Sequence, residues 1–111
     1  MSGPVDYSLC DQSVTVYRRE GEEILRQVVE NCYLQAEHSQ TTDEYGQQRQ
    51  YRFLLIVPGR EQVVFPGDRV TWGIGPKVTA WQETVDMLQI EYAENFYWQG
   101  EFCHTEAGRK R

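Results

Sequence analysis

The residues best equipped for chemistry in this chain are three cysteines, Cys10, Cys32 and Cys103, and two histidines, His38 and His104. Zinc would accept thiolate and imidazole ligands of these types, but sequences that build such a site usually bring two ligands close together, as in a CxxC pair. The cysteines here are widely spaced and no CxxC occurs. Cys103 and His104 are neighbours, yet adjacent residues on a strand point to opposite faces, so they cannot act as a nucleophile and its base. Neither histidine belongs to a serine or cysteine nucleophile motif. Carboxylates are plentiful, including Glu22, Glu23, Asp43, Glu44, Glu91 and Glu94. They fall in turns and on outward strand positions, where solvated charge is the ordinary outcome, and no HExxH or calcium-loop spacing appears. The glycines of Gly67–Pro76, GDRVTWGIGP, are not followed by Lys-Ser/Thr, and Pro76 removes an amide where a phosphate cradle needs one. The reading is therefore free thiols, with no catalytic residue, no metal and no cofactor assigned.

What must position these residues is one domain. The chain has 111 residues, 40% of them hydrophobic and 13% aromatic, enough for a single core. Its net charge of −6 sets it against phosphate backbones and argues against a sequence-reading nucleic-acid binder. The one basic run is Arg109, Lys110 and Arg111, read either as a solvated end or as a contact to phosphate or an acidic partner. The start MSGPVDYSLC lacks a charged n-region and an apolar h-region, and the longest apolar run, FLLIV, is far short of the roughly 18 residues that suggest a membrane span. The expectation is a protein made in a reducing cytosol, with no membrane partner.

Hydrophobic alternation predicts strands. Residues 1–11 read as a loose arm. Ser13–Tyr17 forms a first strand, with Val14 and Val16 on one face. Glu23–Gln35 fits either a helix or a long strand; β-branched Val28 and Val29 favour a strand bulged near Glu30-Asn31. Gln50–Pro58 is a strand with a continuous apolar centre, ended by Pro58-Gly59. Pro66-Gly67-Asp68 has turn chemistry, with proline at the second position and glycine at the third. Arg69–Trp72 leaves that turn. Val78–Val85 reads as irregular or a short helix. Met87–Tyr92 alternates with Leu88, Ile90 and Tyr92 inward, Ala93–Asn95 turns, and Phe96–His104 is a last strand anchored by Trp98 and Phe102. Residues 105–111 remain as a tail. Six or seven closely spaced strands point to a mainly β domain, a small antiparallel barrel or sandwich with a long polar loop between its second and third strands.

That loop, residues 36–50, is AEHSQTTDEYGQQRQ, almost without apolar side chains between two apolar runs. A lid would need a site to cover. Disorder fits the composition. Tyr45-Gly46, flanked by threonines and glutamines, suits an extended hairpin that orders on a partner, and loops of this length are usually functional or disordered. The candidate partner-facing residues are His38, Gln40, Thr41, Thr42, Asp43, Glu44, Tyr45, Gly46, Gln47, Gln48 and Arg49.

Taken in order, VTVYRREGEEILRQVVENCYLQ, a polar insert, a hydrophobic strand, the PGDRVTWG turn and LQIEYAENFYWQGEFCHTEAGRK resemble a family. They are similar to small structural proteins encoded beside minor capsid genes in tailed phages and prophages of Gram-positive bacteria, the head-closure (stopper-like) or head–tail connector proteins. The resemblance implies a β-barrel assembled as a homo-oligomeric ring, often of six or twelve copies, in the neck of the virion. Its partners would be portal or adaptor proteins, tail proteins and passing double-stranded DNA held without sequence reading. It also implies that the loop between the second and third strands projects toward the channel. The acidic balance suits a channel that repels phosphates as DNA passes. A tail-completion protein of the same module is one alternative; a cytosolic β-barrel adaptor that binds a peptide or protein is another.

Overall fold

The structure, a computed structural model, describes residues 7–43 and 46–110, with side chains described outside 38–51. Seven strands form it: β1 Gln12–Glu20, β2 Glu23–Asp43, β3 Gly46–Pro58, β4 Arg69–Trp72, β5 Leu88–Gln89, β6 Tyr92–Trp98 and β7 Glu101–Arg109, with one 3-10 turn at Trp81–Thr84. They make one sheet in the order β5-β4-β1-β2-β3-β7-β6, every neighbouring pair antiparallel. The sheet curls into a half-barrel, and the backbone shows how. Only Ile90 and Glu91 separate β5 from β6. Ile90 exchanges backbone hydrogen bonds with Gly67 and Asp68 at one end of the sheet, and the Glu91 amide donates to Gly108 in β7 at the other (2.8 Å each). One continuous segment thus ties the two ends together.

Inside the curl lie Val14 and Val16 of β1, Val29, Cys32 and Leu34 of β2, Phe53, Leu55 and Val57 of β3, and Val64, Val70, Ile90 and Ala107. Each large apolar side chain buried this way stabilises the fold by about 1.5–3 kcal/mol. The period of two in Phe53, Leu55 and Val57 puts one face of β3 inward. On β2 that face would be lost after Val29 without an extra residue. The register moves from Val14↔Val29 to Gln12↔Cys32, a bulge at Glu30-Asn31, with Asn31 at φ 57°. The bulge returns Cys32 and Leu34 to the core side, where the sequence reading put it. At the predicted turn, the Asp68 amide donates to the Phe65 carbonyl (3.1 Å) and Gly67 has φ 95°.

Four expectations change. Phe96–His104 is not one strand but the tip of a hairpin. Gln99 and Gly100 both take positive φ, 50° and 81°, which is the two-residue turn whose twist matches paired strands. Ala93–Asn95 accordingly lies within β6 rather than in a turn, and Trp98 is 48% exposed rather than a core anchor. Thr105–Arg109 is the second half of β7, not a tail, because Gly108 and Ala107 pair with Leu54 and Leu55. The end of the loose arm is fixed: the Cys10 amide donates to the Tyr7 carbonyl (2.9 Å), and the Tyr7 ring lies against His104.

The fourth change concerns residues 36–50. They are not a loop around which the strands stop, because β2 and β3 run on through them as a ladder from Tyr33↔Ile56 to Asp43↔Gly46. β1 pairs with β2 only as far as Cys32, and β7 pairs with β3 only from Phe53 onward. Beyond that point the two strands hold only each other, over about 23 Å at the usual rise per residue. The radius of gyration, 15.2 Å, exceeds the roughly 13 Å of a compact chain this long, as a projecting ribbon requires. Alternation reveals a strand only when one of its faces is apolar; Gln, Thr and Ser leave nothing to alternate, although the backbone ladder forms all the same.

Candidate functional site

The polar ribbon carries most of the residues singled out by sequence. Its register pairs His38 with Tyr51, Gln40 with Arg49, Thr41 with Gln48, Thr42 with Gln47 and Asp43 with Gly46. Glu44 and Tyr45 lie outside the described residues, as do the side chains of the others on this segment. What the backbone establishes is an antiparallel ribbon that, among the described residues, has no third strand on either side.

At the ribbon's root is a cavity of about 570 Å³ lined by Phe53, Val85, Asp86, Met87, Leu88, Gln89 and Arg109. The structure separates the members of the C-terminal basic run. Arg109 lies in β7 with its Nε buried and without a hydrogen bond, 3.5 Å from Glu91 Oε1. The Lys110 ammonium sits 4.7 Å above the Tyr92 ring and 3.8 Å from Glu94 Oε1. Arg111 lies outside the described residues. Two of the three cations are thus directed at carboxylates of the chain itself.

His104 is buried, and its ring is enclosed. The Tyr7 hydroxyl lies 2.6 Å from Nδ1, a Glu106 carboxylate oxygen lies 3.0 Å from Nε2, and Phe96 stacks on the ring at 4.8 Å. With Nε2 protonated, the imidazole donates to Glu106 and accepts from Tyr7. Burial pushes the Tyr7 phenol above its ordinary value, with the nearby Cys103, Cys10 and Glu106 adding to the effect. A raised phenol is the reverse of an activated nucleophile, so this chain of three side chains clamps the N-terminal segment to β7. Nothing in sequence brings Tyr7 to His104; only the fold does. Cys10, Cys32 and Cys103 are not joined in disulfides, and Cys32 alone is fully buried. Among the described residues no three His, Cys, Asp or Glu side chains are grouped to hold a metal ion.

The GIGP segment is occupied from within. Thr15 Oγ1 donates to the Gly73 carbonyl and accepts from the Gly75 amide, Tyr17 donates its hydroxyl to the Pro76 carbonyl, and Arg26 donates twice to the Gly75 carbonyl. An added Cβ at Gly75 would collide with the Tyr17 hydroxyl and Thr71.

A second concave surface was not visible in sequence. Arg18 donates from Nε and Nη2 to both oxygens of Asp68 (3.0 and 2.9 Å) and from Nη2 to the Val63 carbonyl, while its guanidinium lies 4.4 Å from the Phe65 ring centre. Asp68 is buried and also accepts from the Phe65 amide (2.9 Å). These hydrogen bonds hold the Arg18 pKa above even its high ordinary value. Arg69 donates to Thr84 and stacks 4.9 Å from the Trp81 ring centre. Between the two stacks is a cavity of about 460 Å³ lined by Arg18, Arg19, Phe65, Pro66, Gly67, Asp68 and Trp81. The only sequence signal was the PGD turn; Arg18 stands fifty positions from Asp68, too far for any local pattern to join them.

Fold and surfaces together define a mainly β, half-barrel domain with a projecting polar ribbon. In comparisons with known proteins the chain matches no family model, no curated protein and no solved structure.

Proposed function

We propose that this chain is a non-enzymatic structural subunit of a homo-oligomeric ring in the neck of a tailed-phage virion. In this role it joins the portal complex to the tail and helps retain double-stranded DNA without reading its sequence. The observation that carries the reading is the ribbon. A chain that spends the ends of its two longest strands on a ladder with no third strand offers those backbone edges and polar side chains to something outside itself. Gln and Thr donate and accept together, which suits repeated contacts around a channel. The acidic balance of the chain, −6, keeps passing phosphates from adhering. The resemblance in element order to head-closure and connector proteins supports the same assignment.

The test is deletion of Ser39–Gln48 in a phage carrying the gene. Heads that lose DNA or fail to acquire tails are the expected result. Particles that retain DNA and join tails normally overturn the head-closure reading.

A further inference from the structure

The β6–β7 hairpin ends in aromatic side chains that the described residues leave exposed. Phe96, Tyr97 and Trp98 are 38%, 61% and 48% exposed, and Tyr97 packs edge-on against Phe102 at 5.7 Å. Trp98 and its cross-strand partner Glu101 share one face of the tip and Tyr97 and Phe102 the other, and exposed aromatic surface of this kind marks an interaction site. From Tyr92 to Glu106 the hairpin contains Glu94, Glu101 and Glu106 and no Lys or Arg. β6 is also the last strand of the sheet, so one edge of it has no neighbouring strand.

The cleft between Phe65 and Trp81 has the opposite character. Its lining includes the Arg18–Asp68 pair, already matched, and Arg19, which makes no ion pair among the described residues. Arg19 is exposed and, among the described residues, donates a hydrogen bond to the Gly21 carbonyl alone, at 3.4 Å. An exposed arginine in a cleft lined by aromatic side chains has the composition of an interface hot spot, and a glutamate beside tyrosine and tryptophan complements it in charge. Tip and cleft lie on separate strands, β6–β7 against β1 and the turn before β4, so a molecule can use both at once.

We propose that the Tyr97–Trp98–Glu101 tip of one copy inserts into the Arg19–Phe65–Trp81 cleft of the next. Two different surfaces meeting in this way make a heterologous contact, which closes into a ring or extends as a filament. The inference rests on the ring reading and gives it an interface. Each aromatic carries roughly 150–250 Å² when buried. Half-exposed as they stand, the three contribute well under the ~800 Å² per partner of a standard interface. A single contact is therefore weak, so a pair forms only toward about 1 mM, and a closed ring, in which each contact raises the effective concentration of the next, holds at lower concentration.

Sedimentation velocity on the full chain up to about 1 mM, the range where weak contacts saturate, tests this. The wild type is expected to associate. Trp98→Ala and Arg19→Glu, each shown folded by circular dichroism, should each weaken association at least tenfold. An equimolar mixture of the two variants should form one-to-one pairs and nothing larger, since each retains the surface the other has lost. Glu101→Arg combined with Arg19→Glu should restore association. A wild type that stays monomeric to about 1 mM overturns the contact, as does association undiminished in both variants or a mixture that does not pair. Association undiminished in both variants leaves the ring reading standing. Conversely, virions that form without the chain remove the neck assignment and leave the contact intact.

Discussion

β2 and β3 each belong to two regions with different physics. From Glu23 to Leu34 and from Phe53 to Pro58 they are walls of the curled sheet, with Val29, Cys32, Leu34, Phe53, Leu55 and Val57 packed inside. From Glu37 outward, among the described residues, they pair only with each other. In the body, side chains determine the register: a slip of one residue would turn Phe53, Leu55 and Val57 to solvent. The ribbon's sequence is almost without apolar residues to penalise such a slip, and the register is inherited from the body through continuous strands. The body therefore carries the stability, and the ribbon adds none of the buried core.

The largest effect should come from breaking the body. Leu55 is fully buried on the central inward row of β3. Leu55→Ala removes its contacts and leaves a cavity, and should cost about 2–5 kcal/mol in urea denaturation. A loss under about 1 kcal/mol would mean that the half-barrel interior is loosely packed and that the contrast between the two regions is false.

Next in size is the Arg18–Asp68 clasp, which joins β1 to the crossing segment before β4. Asp68→Asn keeps the volume but loses the paired charge, leaving Arg18, 30% exposed, to turn partly to water. The expected loss is about 1–3 kcal/mol. The same variant should change the environment of Phe65, visible in the near-ultraviolet circular dichroism, because the guanidinium stacked on that ring is no longer held in place.

These two residues show what could be read in advance. Leu55 lies in FLLIV, an apolar run with a turn at its end, and the strand, its burial and the bulge opposite β1 follow from local pattern. Asp68 was legible as part of a turn but not as the acceptor for Arg18, because the pairing is made by folding and not by spacing. Phe96–Trp98 misled for a related reason. Aromatic residues in a strand suggest core, yet this strand is the last in the sheet and its hairpin tip extends past the interior. The ribbon's length was legible, and its hairpin character only from the Tyr45-Gly46 turn signal and its flanks, because alternation requires an apolar face.

Cys32 gives a sharper probe of how closed the body is. Burial pushes its thiol up to about 11, against an ordinary value of 9.0. Above pH 9 the unfolded chain releases this proton while the folded chain keeps it, so the stability contribution falls as pH rises from 9 toward 11. At pH 8 the folded thiolate fraction should be about a hundredfold below that of an ordinary thiol. Cysteine-selective 13C labelling, with the Cβ shift followed against pH in a Cys10→Ser, Cys103→Ser variant, reads this directly. A Cys32 that titrates near 9 in the folded chain would show that water reaches the interior at the bulge.

The smallest effect should come from removing the ribbon itself. Deleting Ser39–Gln48 brings His38 and Tyr51, already paired, to the two ends of a connection made of Arg49 and Gln50. Arg49→Asn and Gln50→Gly in the same variant supply the positive φ values that a two-residue hairpin turn requires. The body keeps every residue of its core, and the expected change in stability is within about 0.5 kcal/mol. A loss above about 2 kcal/mol would show that the ribbon packs on the body and is part of the fold. Near-zero change in the isolated chain, together with failure of the particle to retain DNA or join its tail, would locate the ribbon's contribution wholly in contacts beyond the molecule. This is the outcome expected if its backbone edges serve assembly and not folding.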